Sequence, residues 1–210
     1  MIRIVFSKKG YARYISHLDL QRTMQRAIKR AGIPIWMTEG FNPHPYLYFS
    51  PPLSVGLESS SEFLDIKLAK PMTEKEMKTR LADSMPEGLA VLEVYEANTN
   101  LKNICYAEYK ITIAPEQTEI LQDYFDQPEI LLTKKTKKSE MPFDLKKETE
   151  ITNIGVENGY SMVTILFPCG NEKNINPRLF TDDFQKYTGN NLSYYIERTA
   201  FYDNAKQNFR

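Results

Sequence analysis

Ile2, Ile4 and Phe6 alternate with Arg3, Val5 and Ser7, the period of a strand that buries one face. Lys8-Lys9-Gly10 reads as a turn, and the pattern then changes to helical spacing: Leu20, Met24, Ala27, Ile28 and Ala31 form one apolar stripe. Ser16, with Asp19 three residues on, predicts the helix N-cap, and Gly32 before Ile33-Pro34 predicts its end. Arg22, Arg26 and Lys29 share an arc opposite the stripe, so this helix has a core face and a cationic face. From 38 to 61 the prolines and glycines are dense, which fixes a loop around a short alternating run, Tyr46 to Ser50. A strand over 63–68, a helix capped by Thr73 with Glu76 at the capping-box position, and a strand over 89–95 complete a β-α-β-β-α-β order.

The second half repeats that order without repeating its residues. Strands are predicted over 106–113, 129–133, 149–156, 160–167 and 194–202, with Asn158-Gly159 as a hairpin turn. Helices are predicted over 115–125 and from Pro177 to Tyr187, the latter with Gly189 just past its end. The fold expected is therefore α+β: two ferredoxin-like (βαββαβ) units in tandem, with antiparallel sheets and helices on one face. The polar stretch 97–103 divides them into an N-terminal unit, 1–98, carrying the proposed site, and a C-terminal unit, 104–210.

With 210 residues, 41% hydrophobic and 26% charged, the chain can bury one large core or two small ones. The apolar run at the N-terminus is too short for a signal peptide, and no run reaches the length of a membrane span, so a cytoplasmic protein without membrane association is expected. Cys105 and Cys169 are far apart in sequence and lack metal-site spacing; they read as two separate reduced thiols in strands. Net charge is zero, yet residues 1–50 carry eight Lys/Arg against only Asp19 and Glu39. Such a segment on a neutral protein points to a local anion-binding face. The Lys-rich run 134–138 reads as a solvated hairpin tip, with phosphate contact as the alternative.

Both histidines lie in the N-terminal region. His17 follows the predicted cap, where the helix dipole favours neutral imidazole; His44 lies between Pro43 and Pro45 on a stiff loop. If that loop folds over the helix start, His17, His44 and Asp19 or Glu39 converge, and a metal site becomes geometrically conceivable. No compact metal signature accompanies them, and neither a metal nor a cofactor is expected. A second chemistry is metal-independent RNA cleavage, with His17 or His44 as general base and no catalytic assignment beyond those two candidates. A third is recognition. Phe41, Tyr46 and Tyr48 offer stacking, Asn42, His44 and Glu39 offer polar edges, and Arg22 and Arg26 offer phosphate contacts, with Tyr14 and His17 beside them. Phosphate-binding, dinucleotide-binding and nucleophile-elbow glycine motifs are absent from the sequence, which removes support for ATPase, dehydrogenase and α/β-hydrolase readings.

Tyr14-Ile15-Ser16-His17-Leu18-Asp19-Leu20, Arg30-Ala31-Gly32-Ile33-Pro34, Glu39-Gly40-Phe41-Asn42-Pro43-His44-Pro45 and Ser50-Pro51-Pro52-Leu53-Ser54-Val55-Gly56 together resemble the radical-SAM-linked bacterial proteins. In that family a domain of unknown function occurs alone or fused to B12-binding-type radical SAM proteins. The resemblance is specific over 1–70, and Glu197-Arg198-Thr199 fits the family's closing strand. It implies a radical SAM protein as partner and RNA as the context. This chain lacks the Cys-x3-Cys-x2-Cys pattern, so the cluster would belong to another chain. The expected function is RNA binding as an accessory to a radical SAM enzyme in RNA modification or processing. The alternatives are an endoribonuclease with a histidine base and a protein-docking subunit that does not touch RNA.

Overall fold

The computed structural model describes residues 1–135, 140–170 and 173–210. It is a mixed α/β protein that divides into two compact units, Met1–Ile104 with Asn208–Arg210, and Cys105–Gln207. The last three residues thus belong with the first unit, whereas the expectation from sequence carried the second unit to 210.

The first unit runs β1 (Ile2–Lys8), a 3-10 turn (Gly10–Tyr14), α1 (His17–Arg30), β2 (Leu47–Phe49), β3 (Glu58–Ile66), α2 (Glu74–Ala82) and β4 (Leu89–Glu96). Its strands pair antiparallel in the order β4-β1-β3-β2. Alternate residues Ile4, Phe6, Leu64 and Ile66 form one core cluster with Leu20, Met24 and Ile28 of α1 and Met77 and Leu81 of α2. The expected cap of α1 is present: Ser16 Oγ accepts the Asp19 N–H at 3.1 Å. The cap at Thr73 is present too, but Glu76 turns away from it and pairs with Arg80 at 2.5 Å, so the reciprocal capping-box bond is replaced by an i,i+4 ion pair.

β3 begins at Glu58, five residues before the alternating run visible in the sequence. Glu58, Ser59 and Glu62 are buried there: Glu58 accepts from the Gly10 N–H at 3.0 Å, and Ser59 faces Lys8 in the ladder. Polar residues extend this strand because each finds a partner: Glu58 on the 3-10 turn, Ser59 opposite Lys8 of β1, and Glu62 at the Ser50 hydroxyl. The face of the sheet turned away from the helices is also buried at Arg3. Its guanidinium meets both oxygens of Asp65 at 2.8 and 2.9 Å, bonds Thr99, and lies between the rings of Phe63 and Phe209.

The second unit runs β5 (Tyr106–Ile113), α3 (Thr118–Asp126), β6 (Leu131–Lys135), β7 (Glu140–Asp144), α4 (Leu145–Glu148), β8 (Glu150–Glu157), β9 (Tyr160–Pro168), α5 (Arg178–Thr188) and β10 (Tyr194–Tyr202). The main strands pair antiparallel in the order β10-β5-β9-β8. β6, expected as part of the repeat, instead pairs with β7 in a separate two-stranded hairpin, and β8 lies beside β9. Of the Lys-rich run, residues 136–138 lie outside the described residues. Lys134 Nζ donates to the Asn174 carbonyl at 2.7 Å. The core of this unit is aromatic: Tyr124 stands edge-on to Phe125, Phe184 and Tyr187 and donates to Asp183 at 2.9 Å. Burial, and then the Asp183 acceptor, push its phenol well above the ordinary range. Among the described residues no helix is long and apolar enough to cross a membrane.

Candidate functional site

The loop after α1 is a second, smaller hairpin. Met37 bridges Pro45, the Thr38 N–H donates to the His44 carbonyl at 2.8 Å, and the Tyr46 N–H donates to the Trp36 carbonyl at 3.1 Å. Trp36 is tied in turn to Lys67 by a backbone bond of 2.8 Å. Glu39, Gly40, Phe41, Asn42 and Pro43 are left as an exposed tip held by paired backbone on both sides. Phe41 is 112% exposed, more open than in an extended reference peptide. Among the described residues Glu39, Phe41 and Asn42 make no hydrogen bond, ion pair or ring contact.

His44 stays within this hairpin: its N–H donates to Thr38 Oγ1 at 3.1 Å, and Nδ1 lies 3.2 Å from the Pro45 carbonyl. His17 opens α1, where Nε2 lies 3.0 Å from Gln21 Nε2 and the ring stands edge-on to Phe49 at 5.5 Å. The conceivable convergence of His17, His44 and a carboxylate is therefore not formed. Among the described residues no group of three His, Cys, Asp or Glu is placed to hold a metal ion.

The basic segment is thinner at the surface than its composition suggests. Arg3 and Lys8 are buried, Lys8 donating to the carbonyls of Arg13 and Ile15, and Arg30 donates to the Ser84 carbonyl at 2.7 Å. Arg22, Arg26 and Lys29 remain exposed on α1, with Asp19 3.5 Å from Arg22 across open solvent. Tyr14, also exposed, lies under the Arg13 guanidinium, which donates to its hydroxyl at 2.8 Å.

β2 separates the aromatic candidates. Leu47 and Phe49 pack toward the core cluster, whereas Tyr48 pairs opposite Asp65 and so lies on the sheet face turned away from α1. It does not join the arginines. Sequence reasoning passed over Trp36 and Lys67. The Lys67 ammonium lies 5.0 Å from the Trp36 ring and 4.9 Å from the Tyr46 ring, beside a concavity of about 560 Å³ lined by Met1, Ile2, Trp36, Lys67 and Leu68. The signal available for these residues was that Trp36 is the chain's single tryptophan.

Residues 1–177 match the family described as "uncharacterized protein conserved in bacteria (DUF2344)". The chain belongs to this family. The match extends well beyond the four motifs that carried the resemblance and ends before Glu197-Arg198-Thr199. No curated protein matches the chain. Among solved structures, "Crystal Structure of an Unknown Protein from Galdieria sulphuraria" is similar at 8% identity over 94% of this chain and 96% of that one, with a TM-score of 0.27. At that TM-score the likeness carries no argument.

Proposed function

We propose that the first unit binds single-stranded RNA as an accessory module, using the 36–46 hairpin to engage bases and the exposed cations of α1 to engage phosphates. The observation that carries this reading is Phe41, fully exposed at the tip of a hairpin whose two sides are pinned by backbone bonds. An aromatic ring held out by a rigid support loses little entropy when a base stacks on it. Asn42 and His44 flank it with polar edges, and Trp36, Tyr46 and Lys67 add a second aromatic and cationic surface on the same hairpin and its neighbour. Arg22 and Arg26 would supply phosphate contacts.

We also infer a tandem duplication of ferredoxin-like units interrupted by the β6–β7 hairpin and α4, supported by the strand orders β4-β1-β3-β2 and β10-β5-β9-β8. A radical SAM protein as the partner rests on the resemblance alone. With two cysteines, this chain cannot supply a three-cysteine cluster itself.

The test is binding of labelled cellular RNA across a salt series. The expected result is affinity that falls steeply with salt, with a salt slope reduced by about 1.4 in Arg22→Ala/Arg26→Ala. Phe41→Ala should lose about 1–3 kcal/mol of binding with its salt slope unchanged. Absence of RNA binding even at low salt overturns the reading. If a partner protein is then lost on Phe41→Ala, the exposed ring is a protein-docking anchor instead. Cleavage of RNA in chelator, abolished by His17→Ala or His44→Ala, would identify the endoribonuclease.

A further inference from the structure

We propose that Cys105 and Cys169 are a redox-active pair that closes to an intramolecular disulfide by exchange with a low-molecular-weight disulfide such as oxidised glutathione. The ladder between β5 and β9 pairs Ala107 with Phe167 and Tyr106 with Pro168. One step further sets Cys105 opposite Cys169, and the Cys169 N–H donates to the Cys105 carbonyl at 2.7 Å. Side chains alternate along strands, and Ala107 and Phe167 are both fully buried, so the two cysteines two residues beyond them share that face. The backbone bond between them makes Cys105 and Cys169 a hydrogen-bonded pair of antiparallel strands, for which the Cα atoms lie about 5.5 Å apart, inside the span of about 4.4–6.8 Å that a disulfide bridges. Both residues carry thiols.

Their environments assign an order of attack. Cys105 is half-buried at the mouth of the strand, whereas Cys169 is 4% exposed. The Cys105 thiol loses its proton, and the thiolate attacks one sulfur of the small disulfide. That S–S bond breaks, a mixed disulfide forms on Cys105, and one small thiolate leaves. The Cys169 thiol then loses its proton, its thiolate attacks the Cys105 sulfur, a second small thiolate leaves, and the protein disulfide forms; the two protons given up by the protein thiols end on the two small thiolates. The two protein thiols are oxidised and one small disulfide is reduced to two small thiols. The bridge ties the end of β9 to the start of β5 and closes the long loop between them, a constraint that falls on the unfolded chain.

The experiment exposes the folded full-length chain to oxidised glutathione, then quenches, unfolds and weighs it, with a thiol count alongside. The wild type should lose both thiols and the mass of two hydrogens, form no disulfide-linked dimer, and regain both thiols with dithiothreitol. Cys169→Ser should stop at the mixed disulfide, one glutathione on Cys105. Retention of both thiols by the folded wild type, stable glutathione adducts on it, or disulfide-linked dimers would each overturn the proposal.

Discussion

Arg3 and Asp65 show how much one residue pair can carry. Both side chains are essentially fully buried, with two bonds between them and Thr99 taking a third guanidinium N–H. Burial by itself lowers the Arg3 pKa, but hydrogen bonding and attraction to Asp65 outweigh it and the net shift is upward. Asp65→Ala should therefore leave an uncompensated buried cation and destabilise the chain by about 3–5 kcal/mol in urea unfolding. Asp144 makes a different residue-scale prediction. Its carboxylate accepts from the Ile130 and Lys146 N–H groups, each at 3.1 Å, and lies 3.4 Å from Lys147; the Ile130 bond is the largest cause of its lowered pKa. A carboxyl held low in the folded state stabilises fully above its unfolded value and loses that contribution as pH falls through the lowered value. Urea midpoints followed from neutral pH into acid should show this component in the wild type and lack it in Asp144→Asn. Arg3 is visible in the sequence as an alternating residue that ought to face water. Its burial could not be read there, because its cover comes from Thr99 and Phe209, both distant in the chain.

At the scale of elements, caps and stripes behave as local physics requires, while close approaches do not announce themselves. The five apolar residues of the α1 stripe are all buried, and the helix ends at Arg30, with Ala31 as its C-cap and Gly32 in the left-handed region. Gly88, by contrast, is a constraint set by a neighbour. Its φ is +85°, and a Cβ there would lie 2.6 Å from the Lys9 carbonyl oxygen and 2.8 Å from Ala12 Cβ, where β4 begins against the 3-10 turn. Neither contact can yield cheaply, since one is backbone and the other a short side chain. Gly88→Ala should cost about 2–3 kcal/mol in thermal or urea unfolding, combining left-handed strain with the clash. A cost below about 1 kcal/mol would mean that the turn moves freely. The hairpin at 36–46 falls between these cases: its prolines forecast a fixed loop and its own pairing is local, but it is attached to the rest of the unit through Trp36 and Lys67, a contact across thirty residues of sequence.

For the whole molecule, the chain's final residues matter to its first unit. Phe209 is 4% exposed, with its ring 6.0 Å from Phe63 and the Arg3 guanidinium 5.2 Å from its centre, and Thr99 donates to the Arg210 carbonyl at 2.7 Å. Phe209→Ala should destabilise the protein by about 3 kcal/mol. Amide exchange in β1 and β3 should accelerate more than exchange in β5 and β9. Equal acceleration in both sets would show that the residue acts on the entire chain and not on its own unit.

Secondary elements and their order are legible in the sequence wherever the signal is periodic or capped: β1, α1, α2, β8, β9, α5 and β10 follow from spacing, Ser16, Thr73, Asn158-Gly159 and Gly189. The stretch that becomes the exposed hairpin stands out there too. Which charges are spent inside, which face Tyr48 takes, that His17 and His44 stay with separate partners, and that Cys105 meets Cys169 are all decided by tertiary structure. Local pattern is set by steric and hydrogen-bonding rules acting over a few residues. Pairing across strands depends on register and burial, which arise only when distant segments share one core.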